Sequence, residues 1–149
     1  MVRRDFVERK IKLIQEDLAN LEAFKGLSFD ELAEDSIKYA AAERYLERII
    51  TRAIDVNMHL ISEVGKGSEA ARTYSDAFFV LADLGVYPKT FAESIADSAG
   101  LRNILVHEYD TVDKKKVYAS VYDALSEYTQ YCDFILQFLE QLKRTHRIA

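Results

Sequence analysis

Apolar residues recur along the first segment at Val7, Ile11, Ile14, Leu18 and Leu21. These alternating steps of four and three keep one stripe of an α-helix turned toward a partner. The spacing predicts a helix from roughly residue 4 to Phe24, stopped at Gly26. Ser28 and Glu31 then stand at the separation of a capping box, in which each side chain satisfies an orphan amide of a new helix start, so a short helical turn is expected there. From about Ser36 to Val64 the chain has no Gly or Pro and repeats apolar residues at Tyr45, Ile49, Ile50, Ala53, Leu60 and Ile61. This predicts a second long helix, broken by Gly65-Lys66-Gly67-Ser68. Thr73 to Leu84 reads as a third helix, apolar on more than one side through Phe78 to Leu81 and therefore mostly buried.

Gly85-Val86-Tyr87-Pro88 reads as a helix stop and a turn, after which Thr90 and Glu93 repeat the capping-box spacing and are expected to open a fourth helix. A terminal helix follows an Asp113 cap, with Val121, Leu125, Tyr128, Cys132, Ile135, Leu139 and Leu142 in strict four-three alternation. Tyr131, Phe134 and Phe138 widen that stripe, as core or as a dimer surface, with core slightly favoured. Long amphipathic helices on short connections predict an all-α fold: an up-and-down four-helix bundle with short additional helices, residues 1–149 forming one domain.

Composition sharpens this picture in three ways. Five glycines and one proline leave few places for hairpins, and 49% apolar with 30% charged residues suits a chain with a packed core. The single cysteine, Cys132, cannot form an internal disulfide, and neither a signal-peptide pattern nor a membrane-length apolar run is present, so a cytoplasmic location is expected. The formal net charge of −5 opposes binding nucleic acid over the whole surface. Any RNA contact must be local, because the basic runs at Arg3 to Lys12, Lys114 to Lys116 and Lys143 to Arg147 read as solvated helix ends.

Candidate chemistry gathers in Arg102-Asn103-Ile104-Leu105-Val106-His107-Glu108-Tyr109. Cleaving RNA without a metal requires a cation for the crowded phosphorane and a group that moves protons near neutral pH, and arginine and histidine suit those tasks. At about 100° per residue, Asn103 and His107 share a helix face, where the amide could orient the imidazole, and Arg102 and Tyr109 lie nearly in line two turns apart. A 2′-hydroxyl attack on the adjacent phosphate is served by one base and one acid. Each chain supplies a single motif histidine, so two copies of His107 across a two-fold axis would fill both roles. Of the remaining histidines, His59 reads as a packing residue in the second helix and His146 as part of a frayed tail.

In these residues the chain resembles the HepT family of HEPN-domain ribonuclease toxins, whose hallmark is Arg, four residues, His, one residue, Tyr. Arg102, His107 and Tyr109 match it in full, with the polar Asn103 directly after the arginine. The resemblance covers nearly the whole chain and implies a metal-independent endoribonuclease that forms a homodimer. It also implies neutralisation by a cognate minimal nucleotidyltransferase antitoxin that transfers AMP to the motif tyrosine. On this sequence Arg102 and His107 would be catalytic, Asn103 supporting and Tyr109 the AMPylated residue. RNA is the implied substrate, no cofactor or metal is called for, and neither DNA nor a membrane is an expected partner.

Two other readings stand beside this one. The chain could be a catalytically inactive helical subunit that docks on a nucleotidyltransferase, its motif binding phosphate or AMP without cutting. Alternatively, Glu43, Glu47, Asp55 and His59 share faces of the second helix at i, i+4 and could hold a cation, although neighbouring Arg44, Arg48 and Arg52 favour surface ion pairing there.

Overall fold

A computed structural model of the chain describes residues 1–65, 71–107 and 112–149. Its described residues form seven α-helices: α1 (Arg4–Leu21), α2 (Phe29–Ala33), α3 (Ser36–Val64), α4 (Tyr74–Asp83), α5 (Lys89–Ile95), α6 (Asp97–His107) and α7 (Lys114–Arg144). A 3-10 turn, Glu22–Phe24, closes α1 before Gly26 takes φ +97°, a backbone setting that glycine adopts without penalty. Three helices are long. α1 runs antiparallel to α3, as the pairs Arg3–His59, Lys10–Asp55 and Asp17–Arg52 show, and antiparallel to α7, as Arg4–Glu140 and Gly26–Tyr122 show. The fourth position of the bundle is filled by α4, α5 and α6 folded together against α3.

Local chemistry explains most boundaries. Ser28 and Glu31 form the expected capping box, with the two amide to side-chain bonds both 3.1 Å long. Asp35 accepts from the amides of Ile37 and Lys38 to start α3, and Asp113 accepts from the amide of Lys115 to start α7. α4 ends in a Schellman motif: the Val86 amide donates to the Leu81 carbonyl and the Gly85 amide to that of Ala82, with Gly85 at φ +85°.

The fourth helix departs from expectation. Thr90 does not cap it; the N-cap is Pro88, two residues earlier, with no side-chain cap bond, and α5 ends at Ile95. The motif therefore rides on a separate helix, α6. At the break, the Ser94 and Ser98 hydroxyls donate to the carbonyls of Phe91 and Ile95, at 2.9 and 2.7 Å, local bonds that compete with a continuous helical ladder. The capping box in this half of the chain is at Thr73 and Asp76, where the two bonds measure 3.0 and 3.2 Å.

The apolar stripes read from sequence are the core. Val7, Ile11, Ile14, Leu18 and Leu21 are buried, and so is the α7 stripe apart from half-buried Leu125. Tyr131 and Phe138 are buried and Phe134 half-buried, the core choice for that aromatic strip. There the rings of Tyr87, Phe91, Phe134 and Tyr131 pack at tilted or edge-on angles, and the Tyr87 hydroxyl donates to the Phe78 carbonyl at 2.7 Å. The tail carrying His146 is tied down: Val2 and Ile148 form a parallel bridge, and the Ala149 amide donates to the Val2 carbonyl at 2.7 Å. A fully buried Val2 holds that pairing in place, which the polar tail sequence did not suggest.

Candidate functional site

Leu101 and Leu105 are buried and seat α6 against α3, with Ile104 and Val106 half-buried beside them. Arg102 is half-buried, and three contacts hold it. Its Nε donates to Thr51 Oγ1 of α3 at 3.2 Å, its guanidinium lies 5.6 Å from the ring centroid of Tyr74 at the start of α4, and one Nη donates to Asn103 Oδ1 at a marginal 3.5 Å. Such anchoring removes side-chain freedom before any ligand arrives, and the planar fork keeps donors to spare.

Asn103 and His107 are exposed. The shared face predicted for them is there in the helix, but among the described residues the Asn103 amide is bonded to Arg102 and not to the imidazole. His107 is the last residue of α6. It lies five positions after Arg102, so the two side chains leave the helix about 140° apart and about 7.5 Å apart along the axis. Within one chain they do not converge on a single atom. Tyr109, the expected site of AMP transfer, lies outside the described residues.

Other residues singled out from the sequence have structural partners. The His59 Nε2 accepts from the Arg3 amide at 3.0 Å, at the entry to α1, and its ring packs against Phe6 at 5.0 Å. Burial lowers its pKa, which favours the neutral form that can accept. Asp55 pairs with Lys10 at 2.9 Å and Glu47 with Arg44 at 3.1 Å. Among the described residues, no group of three or more His, Cys, Asp or Glu side chains is placed to hold a metal. Arg48 and Arg52 do not form surface pairs along α3. They reach across to the buried Asp17 of α1, at 3.2 and 2.5 Å.

Sequence reasoning missed two neighbourhoods. Thr51 and Tyr74, which hold Arg102, come from other helices, and only the aromatic placed directly after a helix cap hinted at the second. The other is a cleft of about 190 Å³ between α3, α6 and α7 that gathers Asp97, Asp123 and Glu127. Burial, together with Asp123 and Asp97, pushes the Glu127 carboxyl up to about 7.

The fold agrees with that of known proteins. Residues 14–135 match the model of the family described as "Ribonuclease HepT-like". The chain belongs to the HepT-like ribonuclease family. A tRNA nuclease HepT from Aphanizomenon flos-aquae is 34% identical over 137 residues, 92% of each chain. Among solved structures, a toxin–antitoxin crystal structure with AMP-PNP aligns at a TM-score of 0.78 and 22% identity, over 90% of this chain and 99% of that one. The tri-AMPylated HEPN toxin of Shewanella oneidensis, in complex with its MNT antitoxin, aligns at the same TM-score and identity, over 90% and 98%. These two likenesses establish a shared all-α bundle fold. No helix among the described residues of this HepT-like chain is long and apolar enough to cross a membrane.

Proposed function

We propose that this HepT-like chain is a metal-independent endoribonuclease, the toxin of a toxin–antitoxin pair, and that Arg102 and His107 carry the chemistry. The observation that supports it is the tethering of Arg102 by Thr51 and Tyr74 on the same short helix that ends in an exposed His107. The nuclease relative named above and the AMPylated toxin with its antitoxin point the same way.

Because the two side chains diverge around α6, the working site is built from two copies of the chain. His107 of one copy takes the proton from a ribose 2′-hydroxyl, which attacks the adjacent phosphorus. His107 of the second copy protonates the departing 5′-oxygen. The Arg102 guanidinium offers its remaining N–H donors to the phosphorane oxygens, and Asn103 supports the guanidinium. The products carry a 2′,3′-cyclic phosphate and a free 5′-hydroxyl. A cognate minimal nucleotidyltransferase silences the site by moving AMP from ATP onto the Tyr109 oxygen, with pyrophosphate leaving, which adds a bulky anion to the motif.

Incubation of the purified protein with RNA in excess chelator tests this. Cleavage with cyclic phosphate ends is expected, falling about 10²- to 10⁴-fold in Arg102→Ala and in His107→Ala. Protein co-expressed with the transferase should be inactive and gain AMP mass that Tyr109→Phe does not gain. Activity that vanishes with chelator and returns with a divalent metal would overturn the mechanism.

A further inference from the structure

Five large apolar side chains are well exposed among the described residues, and two of them, Met58 and Tyr74, face one groove beside the motif arginine. The groove has a volume of about 480 Å³ and is lined by Met58, Ala71, Arg72, Thr73, Tyr74 and Asn103. Tyr74 is 42% exposed although Arg102 lies against its ring. It is also held in place as the first residue of α4, directly after the N-cap Thr73 and inside the Thr73–Asp76 capping box. No carboxylate appears among the described residues lining the groove, in a chain whose overall charge is −5.

The groove offers an aromatic ring, the apolar Met58 and Ala71, the Arg72 guanidinium and an amide with both donor and acceptor, with a second guanidinium, Arg102, lying against the ring, and this is chemistry that recognises a nucleotide. The ring and thioether take the face of a base, Arg72 and Arg102 favour its phosphates, and Asn103 can pair with a base edge. Resting on the ribonuclease reading above, we propose that this groove binds a nucleobase of single-stranded RNA flanking the phosphodiester held at Arg102, with the Tyr74 ring as its stacking platform. Tyr74 then has two roles: it fixes Arg102 through one contact and selects unpaired RNA through the other. A base locked inside a duplex cannot reach the ring, so the preferred substrate is a loop or a single-stranded end.

The test uses full-length His107→Ala protein, which binds without cutting, and short single-stranded oligoribonucleotides carrying 2-aminopurine at successive positions. Stacking quenches this probe, and the chain has no tryptophan to obscure it. Quenching is expected at one or two adjacent positions. Adding Tyr74→Ala should abolish it and raise Kd about ten-fold, whereas Tyr74→Phe should keep both. Quenching that survives Tyr74→Ala would sink the inference, as would unchanged Kd with a lower kcat in the His107-containing Tyr74→Ala enzyme, because Tyr74 would then only position Arg102. A loss of dimer mass in Tyr74→Ala would also overturn it, by making the ring a subunit contact. Where the wild-type protein cuts RNA and only these Tyr74 results fail, the ribonuclease reading stands. Absence of both cutting and binding removes the two together.

Discussion

Arg102 shows how a helix converts one residue into a directed charge. Its Nε donates to Thr51 and its guanidinium lies 5.6 Å from the Tyr74 ring centroid, so two contacts from other helices set its orientation. That orientation was not legible in the motif, because both tethers belong to helices distant in sequence. Glu127 is a residue-scale case of the opposite kind, a carboxyl kept half-dry beside two other acids and pushed up to about 7. Its folded-state pKa lies above its unfolded value, so the native state binds the extra proton and stability falls as pH rises from about 4.5 to about 7. Glu127→Gln should therefore leave the melting temperature unchanged at pH 4 and raise it at pH 8, by about 2 °C once solvent screening of this partly exposed group is allowed for. An equal gain at both pH values would show that the carboxyl titrates normally.

The helices themselves were largely readable, because four-three spacing and capping residues are local signals. α1, α3 and α7 follow the predicted stripes, and the expected caps Ser28 and Asp113 start their helices, while the Asp35 cap of α3 was not singled out. The helix bearing the motif was less legible. Two serines divert hydrogen bonds at the α5–α6 break, and a short segment shows too few periods for a stripe to reveal the division. α4 carries an element-scale consequence, since its capping box positions Tyr74. Thr73→Ala should destabilise the protein by about 1 kcal/mol, seen as a fall in melting temperature of about 3 °C. It should also weaken RNA cleavage, by loosening the start of α4. Full activity with the expected destabilisation would uncouple Tyr74 from the cap.

Across the whole molecule, two long helices, α3 and α7, both pack antiparallel to α1, and the buried Asp17 with Arg48 and Arg52 fixes how α1 and α3 meet. A charge cluster of this kind adds little net stability, but removing one member leaves the others without a partner, so it favours one alignment over its neighbours. The divergence of Arg102 and His107 around α6 gives the molecular-scale prediction: light scattering should find twice the mass of one chain, and a monomer that still cuts RNA would exclude a shared site. Sequence alone determined the all-α class, the three long helices, their buried stripes and the motif with its family, because periodicity, caps and short spacings are properties of neighbouring residues. Tertiary structure decided that Thr51 and Tyr74 hold Arg102, that α3 arginines reach Asp17, and that the tail pairs with Val2. It also decided that three acids crowd one cleft. Each of these depends on side chains meeting across helix packing, whose register and rotation are set by the summed fit of the core and not by any single stretch of chain.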